Sequence, residues 1–230
     1  MKPIGLIGGL TYVSTIEYYR YLNQLANEKL GGCETVEVII HSVNFGEIKR
    51  FTDADDWKKL FEIMRNAAIE LENAGAGCLL IGANTMHKIA DEIQTAIKIP
   101  VIHIAEAVAK EVRKEGLKKV GLLGTKYTMQ PGFYTDHLVE NGIEAIIPRQ
   151  EDVDFLNYTI YNEFSRNLFL PETKSRYLKI ISTLKEKGAG GMILGCTEIP
   201  ILLEGYNSDI PLFDTIKIHA AAGVDHVLSL

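Results

Sequence analysis

One strand-and-turn pattern is written twice in this chain. Residues 75–84 read GAGCLLIGAN and residues 188–197 read GAGGMILGCT, so Ala83 falls opposite Cys196 at an offset of 113 residues. Two more pairs keep the same order. IGLIGG at 4–9 matches VGLLGT at 120–125, and IPVIHI at 99–104 matches IPLFDT at 210–215, at offsets of 116 and 111 residues. Three ordered matches predict an internally duplicated α/β protein. Its two similar parallel-sheet lobes are expected at 1–104 with 216–230 and at 105–215, with an active site between them. Such a site has two similar walls and suits chemistry on both faces of a substrate. Here one wall carries a thiol and the other a methyl group.

Local patterning agrees with that class. Short aliphatic runs bounded by Gly, Pro or charge recur: IGLIG, VEVIIHSV, CLLIGA, PVIHIA, VGLLGT, AIIPR, GMILG and PLFDT. Runs of this kind are strands buried on both faces. Between them lie helical patterns at 15–29, 57–74, 105–115, 134–141, 156–166 and 173–187, with Ser14 read as the first N-cap and Glu17 as its capping-box partner. Alternating strands and helices imply parallel sheets with right-handed crossovers.

At 230 residues the chain can bury a substantial core, and its 47% hydrophobic and 23% charged content is ordinary for a globular protein. A net charge of −6 argues against general nucleic-acid affinity. No apolar run is long enough to span a bilayer, and no cleavable signal pattern is present, so no membrane partner is expected. Three cysteines make no disulfide framework, which points to a reducing cytoplasm.

In open parallel sheets, ligands bind beyond the carboxyl ends of the strands. The residues there are Gly8, Gly9, Leu10 and Thr11; Ala83, Asn84 and Thr85; Thr125; Cys196, Thr197 and Glu198; Asp214 and Thr215. Cys196 reads either as a thiolate stabilised by a strand-to-helix turn or as a small buried hydrophobe. Asn84-Thr85 and Thr197-Glu198 read as a carboxylate cradle, as helix caps, or as both, because the same N–H groups serve each. Gly8-Gly9 permits close backbone approach to a ligand, but it is not a dinucleotide fingerprint. Cys78 reads as core and Cys33 as loop. The six histidines form no metal spacing. His87 and His219 lie nearest the strand ends, with structural and chemical roles both open. Arg50 and Arg166 could supply cations to a site, although surface charge is the commoner role.

Taken together, IGLIGGLTYVSTIEYY, GANTMHK, GTKYTM, GCTEIP and DTIKIH resemble the aspartate/glutamate racemase family over nearly the whole chain. The resemblance implies an amino-acid racemase that needs no pyridoxal phosphate or other cofactor. Its substrate would be a small amino dicarboxylic acid and its assembly a homodimer. It implies two cysteines, one removing the α-proton from one face and the other reprotonating the opposite face. Cys196 matches the second of these, and Ala83 stands where the first belongs. Asn84, Thr85, Thr125 and Thr197 match positions that hold the α-carboxylate. Arg166 matches a basic residue for the distal carboxylate, and Arg50, or its neighbour Lys49, a second. With Gly9, Leu10, Thr11 and Glu198 these complete the expected substrate-binding set.

Alanine neither donates nor accepts a proton. Three explanations stand for Ala83: an inactivating replacement of cysteine, a native alanine whose role passes to water or a neighbour, or drift to one-thiol chemistry. Two other functions are therefore carried forward. One is a one-cysteine decarboxylase similar to the arylmalonate decarboxylases; the other is a dicarboxylate-binding protein without catalysis.

Overall fold

The computed structural model describes residues 1–229, which divide into two compact units: Met1–His103 with the C-terminal residues from His219, and Ile104–Ile218. The first unit holds β1 (Ile4–Gly8), α1 (Tyr12–Leu30), β2 (Val38–Ser42), α2 (Phe45–Asp53), α3 (Trp57–Asn73), β3 (Cys78–Ile81), a 3₁₀ turn (Thr85–Ile89) and α4 (Ala90–Gln94). Its sheet is parallel in the order β2-β1-β3. The second unit holds α5 (Ile104–Lys114), β4 (Lys119–Gly124), α6 (Lys126–Met129), α7 (Phe133–Glu140), β5 (Glu144–Ile146), α8 (Gln150–Asn162), a 3₁₀ turn (Phe164–Arg166), α9 (Pro171–Glu186), β6 (Met192–Gly195), α10 (Ile199–Leu202) and β7 (Leu212–Asp214). Its sheet is parallel in the order β5-β4-β6-β7. α11 (Thr215–Leu228) starts in the second unit and ends in the first.

The duplication extends to strand register. Gly5 pairs with Leu79 in the first sheet, and their counterparts Gly121 and Met192 pair in the second. Leu79 bridges Val101, and Met192 pairs with Leu212. One difference corrects the expectation of a strand at 99–104. In the first unit that segment makes only the Leu79–Val101 bridge, because α5 begins at Ile104. In the second unit the matching segment is the three-residue β7.

The aliphatic runs fold as strands because both faces are covered. β1, β3 and β6 are buried at every position, whereas the edge strand β2 is partly exposed. Ile7, Leu79 and Ile81 pack with Leu60, Met64 and Leu71 of α3 in the first core. Leu122, Leu123 and Ile193 pack with Val108, Leu156, Tyr177 and Ile181 in the second.

Helix ends show two corrections. The N-cap of α1 is Thr11, not Ser14. The Thr11 hydroxyl accepts the Ser14 N–H at 3.1 Å, and Ser14 Oγ accepts the Thr11 N–H at 3.5 Å, closing a capping box one turn earlier than expected. Glu17 instead pairs with Arg20 at 2.5 Å. The helix expected at 156–166 is α8, which starts at Gln150 and ends at Asn162. Its last expected turn is the separate 3₁₀ turn, which runs into left-handed Asn167 (φ 58°). No helix of the described residues is long and apolar enough to cross a membrane.

Candidate active site

In the second unit, Gly124 and Gly195 are register partners at the carboxyl ends of β4 and β6, so Thr125 and Cys196 leave neighbouring strands side by side. Thr125 caps α6, its hydroxyl accepting the Thr128 N–H at 3.3 Å. Cys196 is buried and its thiol donates to Glu198 Oε2 at 3.0 Å. The same oxygen accepts the Thr197 hydroxyl at 2.7 Å. Thr197 therefore commits its hydroxyl proton to Glu198 and offers further ligands only lone pairs from that group. Burial drives the Cys196 thiol well above its ordinary range, and the charge of Glu198 acts in the same direction. The backbone N–H groups of Glu198 and Thr197 pull against both. Tyr177, from α9, is fully buried nearby with its hydroxyl bonded to Thr159 at 3.0 Å, and burial raises its pKa well above the ordinary range.

Asp214 and Thr215 have structural bonds. Asp214 Oδ1 accepts the N–H groups of Ile216 and Lys217 at 3.0 and 3.1 Å, and the Thr215 hydroxyl donates to the Leu194 carbonyl at 2.9 Å.

In the first unit the β1 turn is fastened to the end of β3. Gly9 N–H donates to Thr15 Oγ1 at 2.8 Å, and Ser14 Oγ donates to the Gly82 carbonyl at 3.4 Å. Gly9 has φ 76°, and a Cβ there would lie 2.1 Å from the Val43 carbonyl oxygen. The close backbone approach read from Gly8-Gly9 is thus made at least in part by the chain itself. Leu10 packs its side chain into the core, leaving its backbone to contribute. Asn84 and Thr85 are buried, whereas Ala83 is half-buried.

Behind Ala83 lies a group that sequence spacing does not reveal. His87 Nδ1 donates to the Ala83 carbonyl at 2.9 Å. Its ring meets those of His103 and His219 edge-on at 4.8 and 5.2 Å between centroids. His219 Nε2 donates to the Ile102 carbonyl at 2.6 Å, leaving Nδ1 to accept the Tyr18 hydroxyl at 2.7 Å. Burial holds His219 down to about 3, and burial followed by the neighbouring histidines holds His87 well below its ordinary value. Both therefore serve here as neutral, hydrogen-bonded core groups. Among the described residues, no three His, Cys, Asp or Glu side chains converge as a metal site. Tyr18 and Tyr177 were passed over by sequence reasoning, because their polar partners lie 201 and 18 residues away.

Of the remaining thiols, Cys78 lies inside β3, where burial pushes it up to about 12, and Cys33 is exposed. Arg50 on α2 and Arg166 on its 3₁₀ turn are both exposed. Among the described residues neither guanidinium has an ion-pair or hydrogen-bond partner. Lys49 differs from Arg50 in being held by Asp53 at 2.5 Å.

Several known proteins share this architecture. A crystal structure from Yersinia pestis, described provisionally as an Asp/Glu racemase, is 41% identical with a TM-score of 0.90, covering 99% of this chain and all of that one. An aspartate racemase homologue from Pyrococcus horikoshii OT3 is 36% identical with a TM-score of 0.85, both chains being covered completely. The broad specificity amino-acid racemase RacX of Bacillus subtilis (strain 168) is 29% identical over 180 residues, 77% of this chain and 75% of that one. The family model described as Asp/Glu/Hydantoin racemase matches residues 7–223. By that match, which spans both units and their strand ends, the chain belongs to the Asp/Glu/hydantoin racemase family.

Proposed function

We propose that this protein exchanges the α-proton of aspartate or glutamate without a cofactor, using Cys196 as its acid/base. The observation that carries the reading is the Cys196 thiol: it is buried at a strand end and donates to a carboxylate at 3.0 Å. A sulfur so held has a hydrogen-bond acceptor for its proton, which an acid/base uses. Family membership and the names of the relatives favour an amino acid as substrate. The guanidiniums of Arg50 and Arg166, which have no partner among the described residues, favour a second carboxylate on it, since arginine's planar fork binds that group bidentately.

The chemistry asks two things of the site. An amino-acid α-proton is very weakly acidic, so a positioned base must remove it while the developing carbanion is stabilised. Cys196 serves as the base. Hydrogen bonds to the α-carboxylate draw charge from Cα, and backbone amides near Asn84, Thr85, Thr125 and Thr197 are the donors assigned to that task. Ala83 supplies no proton, so the chain as written exchanges one enantiomer and inverts poorly.

The test is solvent exchange in deuterated water, followed by proton NMR on L- and D-aspartate and L- and D-glutamate separately. Wild type is expected to exchange one enantiomer. Cys196→Ser should lose about a hundredfold or more, the usual contribution of a positioned acid/base. Undiminished exchange in that variant removes Cys196 from the reaction.

A further inference from the structure

We infer that His87 is a positioning residue for the proposed reaction: by holding the Ala83 carbonyl, its ring aims the Asn84 N–H at the α-carboxylate of the substrate. The inference rests on the reaction proposed above and adds to it a residue that touches no substrate.

The backbone bonds at this strand end show how. The N–H groups of Gly82 and Ala83 are spent within the protein, on the Ile7 and Ile81 carbonyls at 2.9 and 2.8 Å. Donors for a ligand therefore start at Asn84. His87 turns the chain there through two bonds. Its ring Nδ1 donates to the Ala83 carbonyl at 2.9 Å, and its backbone N–H donates to the Asn84 carbonyl at 3.1 Å. Among the described residues no peptide bond is cis. In a trans peptide the C=O and the N–H that follows it point in opposite directions. Two carbonyls drawn toward His87 thus send the N–H groups of Asn84 and Thr85 the other way, as a pair. These are two of the amides assigned to the α-carboxylate. The ring bond also polarises the peptide between Ala83 and Asn84, which strengthens its N–H as a donor.

The second unit meets the same need without a side chain. There the Cys196 carbonyl, the counterpart of Ala83, accepts the Ile199 N–H at 3.2 Å, and Pro200 stands where His87 does. In the first unit the task falls to a ring that is firmly braced. His87 is buried and meets His103 and His219 edge-on, and His219 is itself tied to Tyr18 and to the Ile102 carbonyl. A carbonyl only accepts, so Nδ1 carries the proton. Burial keeps the ring neutral, which leaves Nε2 as a bare acceptor, and among the described residues it has no hydrogen-bond partner. His87 is therefore held as the Nδ1–H tautomer, the opposite of His219, whose Nε2 donates.

As Cα loses its proton the α-carboxyl group gains charge, so an aimed donor favours the transition state over the bound substrate. Two readouts test this. The first uses wild type alone: nitrogen-15 correlation spectra of its imidazoles and amides at neutral pH. His87 is expected as the Nδ1–H tautomer. Its ring N–H and the Asn84 amide should both move when L- or D-aspartate or L- or D-glutamate is added. An Nε2–H tautomer, or an Asn84 amide unmoved by all four, overturns the inference. The second is α-proton exchange in His87→Leu, which lacks the donor, and in His87→Asn, whose side-chain amide lies where Nδ1 does. Loss of a whole oxyanion donor costs about a hundredfold or more, and a misaimed one is expected to cost about tenfold or more in kcat. The rise in KM should be smaller, and His87→Asn should recover most of the loss. A folded His87→Leu with wild-type kcat overturns the inference and leaves the activity standing. If wild type exchanges none of the four amino acids yet its Asn84 amide and His87 ring N–H move with one of them, the activity falls and the aimed donor stands. Should His87→Leu not fold, His87→Gln takes its place, because its amide reaches the Nε2 position and misses the carbonyl. If neither folds, the wild-type spectra decide.

Discussion

Gly9 shows how one residue can be legible in the sequence for an incomplete reason. The Gly8-Gly9 pair marks a close approach, and the structure contains one, but against the Val43 backbone. At φ 76°, with a Cβ falling 2.1 Å from a carbonyl oxygen, alanine meets both strain and overlap. Gly9→Ala is expected to destabilise the protein by about 2–4 kcal/mol, combining the usual costs of a strained backbone and of overpacking. Urea unfolding measures it directly, and a variant within about 0.5 kcal/mol of wild type would mean the turn relaxes freely. Cys196 was legible through its duplicate context, but its bond to Glu198 was not. A Cys-Thr-Glu sequence alone does not say whether the carboxylate turns toward sulfur or toward a ligand.

Among the elements, the buried strands were the easiest to read, because burial on both faces leaves near-continuous aliphatic runs. Helix starts were harder. Thr11 and Ser14 are both good caps, and the choice was made by burial of the Thr11 turn against β3, which no local pattern encodes. His87 and His219 stood out in the sequence, but their meeting with each other, His103 and Tyr18 did not, for the same reason: α1, the turn after β3 and α11 contribute from opposite ends of the chain. Its consequence is a pH dependence of stability. His87 and His219 are neutral in the fold because burial lowers their pKa values, whereas both protonate freely once unfolded. Below about pH 6.5 the unfolded chain therefore binds more protons, and stability falls as pH drops toward 3. The slope is about 1.4 kcal/mol per pH unit for each histidine. The expected result is a lower urea midpoint at pH 5 than at pH 6.5, a window above most carboxylate titrations. His219→Gln should remove about one histidine's share of that dependence, whatever it does to stability at pH 7. An unchanged slope in the variant would mean that His219 is readily protonated in the folded protein.

For the whole molecule, the duplication carried the fold class and the register, since paired residues in one sheet reappear as paired residues in the other. It also sharpens what Ala83 means. Residue 83 corresponds to Cys196, and residue 85 to Glu198, so a thiol restored at 83 would be followed by Thr85 rather than by a carboxylate. It would also stand on a half-buried rather than a buried position. Less desolvation and a threonine in place of the carboxylate two residues on both favour thiolate, so Ala83→Cys should carry a more acidic thiol than Cys196. The hydrogen bond from His87 reaches the backbone carbonyl of residue 83 and does not depend on its side chain. The replacement should therefore fold as wild type does. If α-proton removal by one thiol and return by another is the chemistry of this scaffold, Ala83→Cys converts exchange of a single enantiomer into inversion. Polarimetry on L- and D-aspartate and on L- and D-glutamate, run beside the deuterium-exchange assay, separates the cases. Inversion that appears only in Ala83→Cys identifies residue 83 as the missing acid/base. Inversion already present in wild type means that another group fills that role. Unchanged one-enantiomer exchange in both proteins means that the duplication has preserved a framework whose first half no longer takes part in proton transfer.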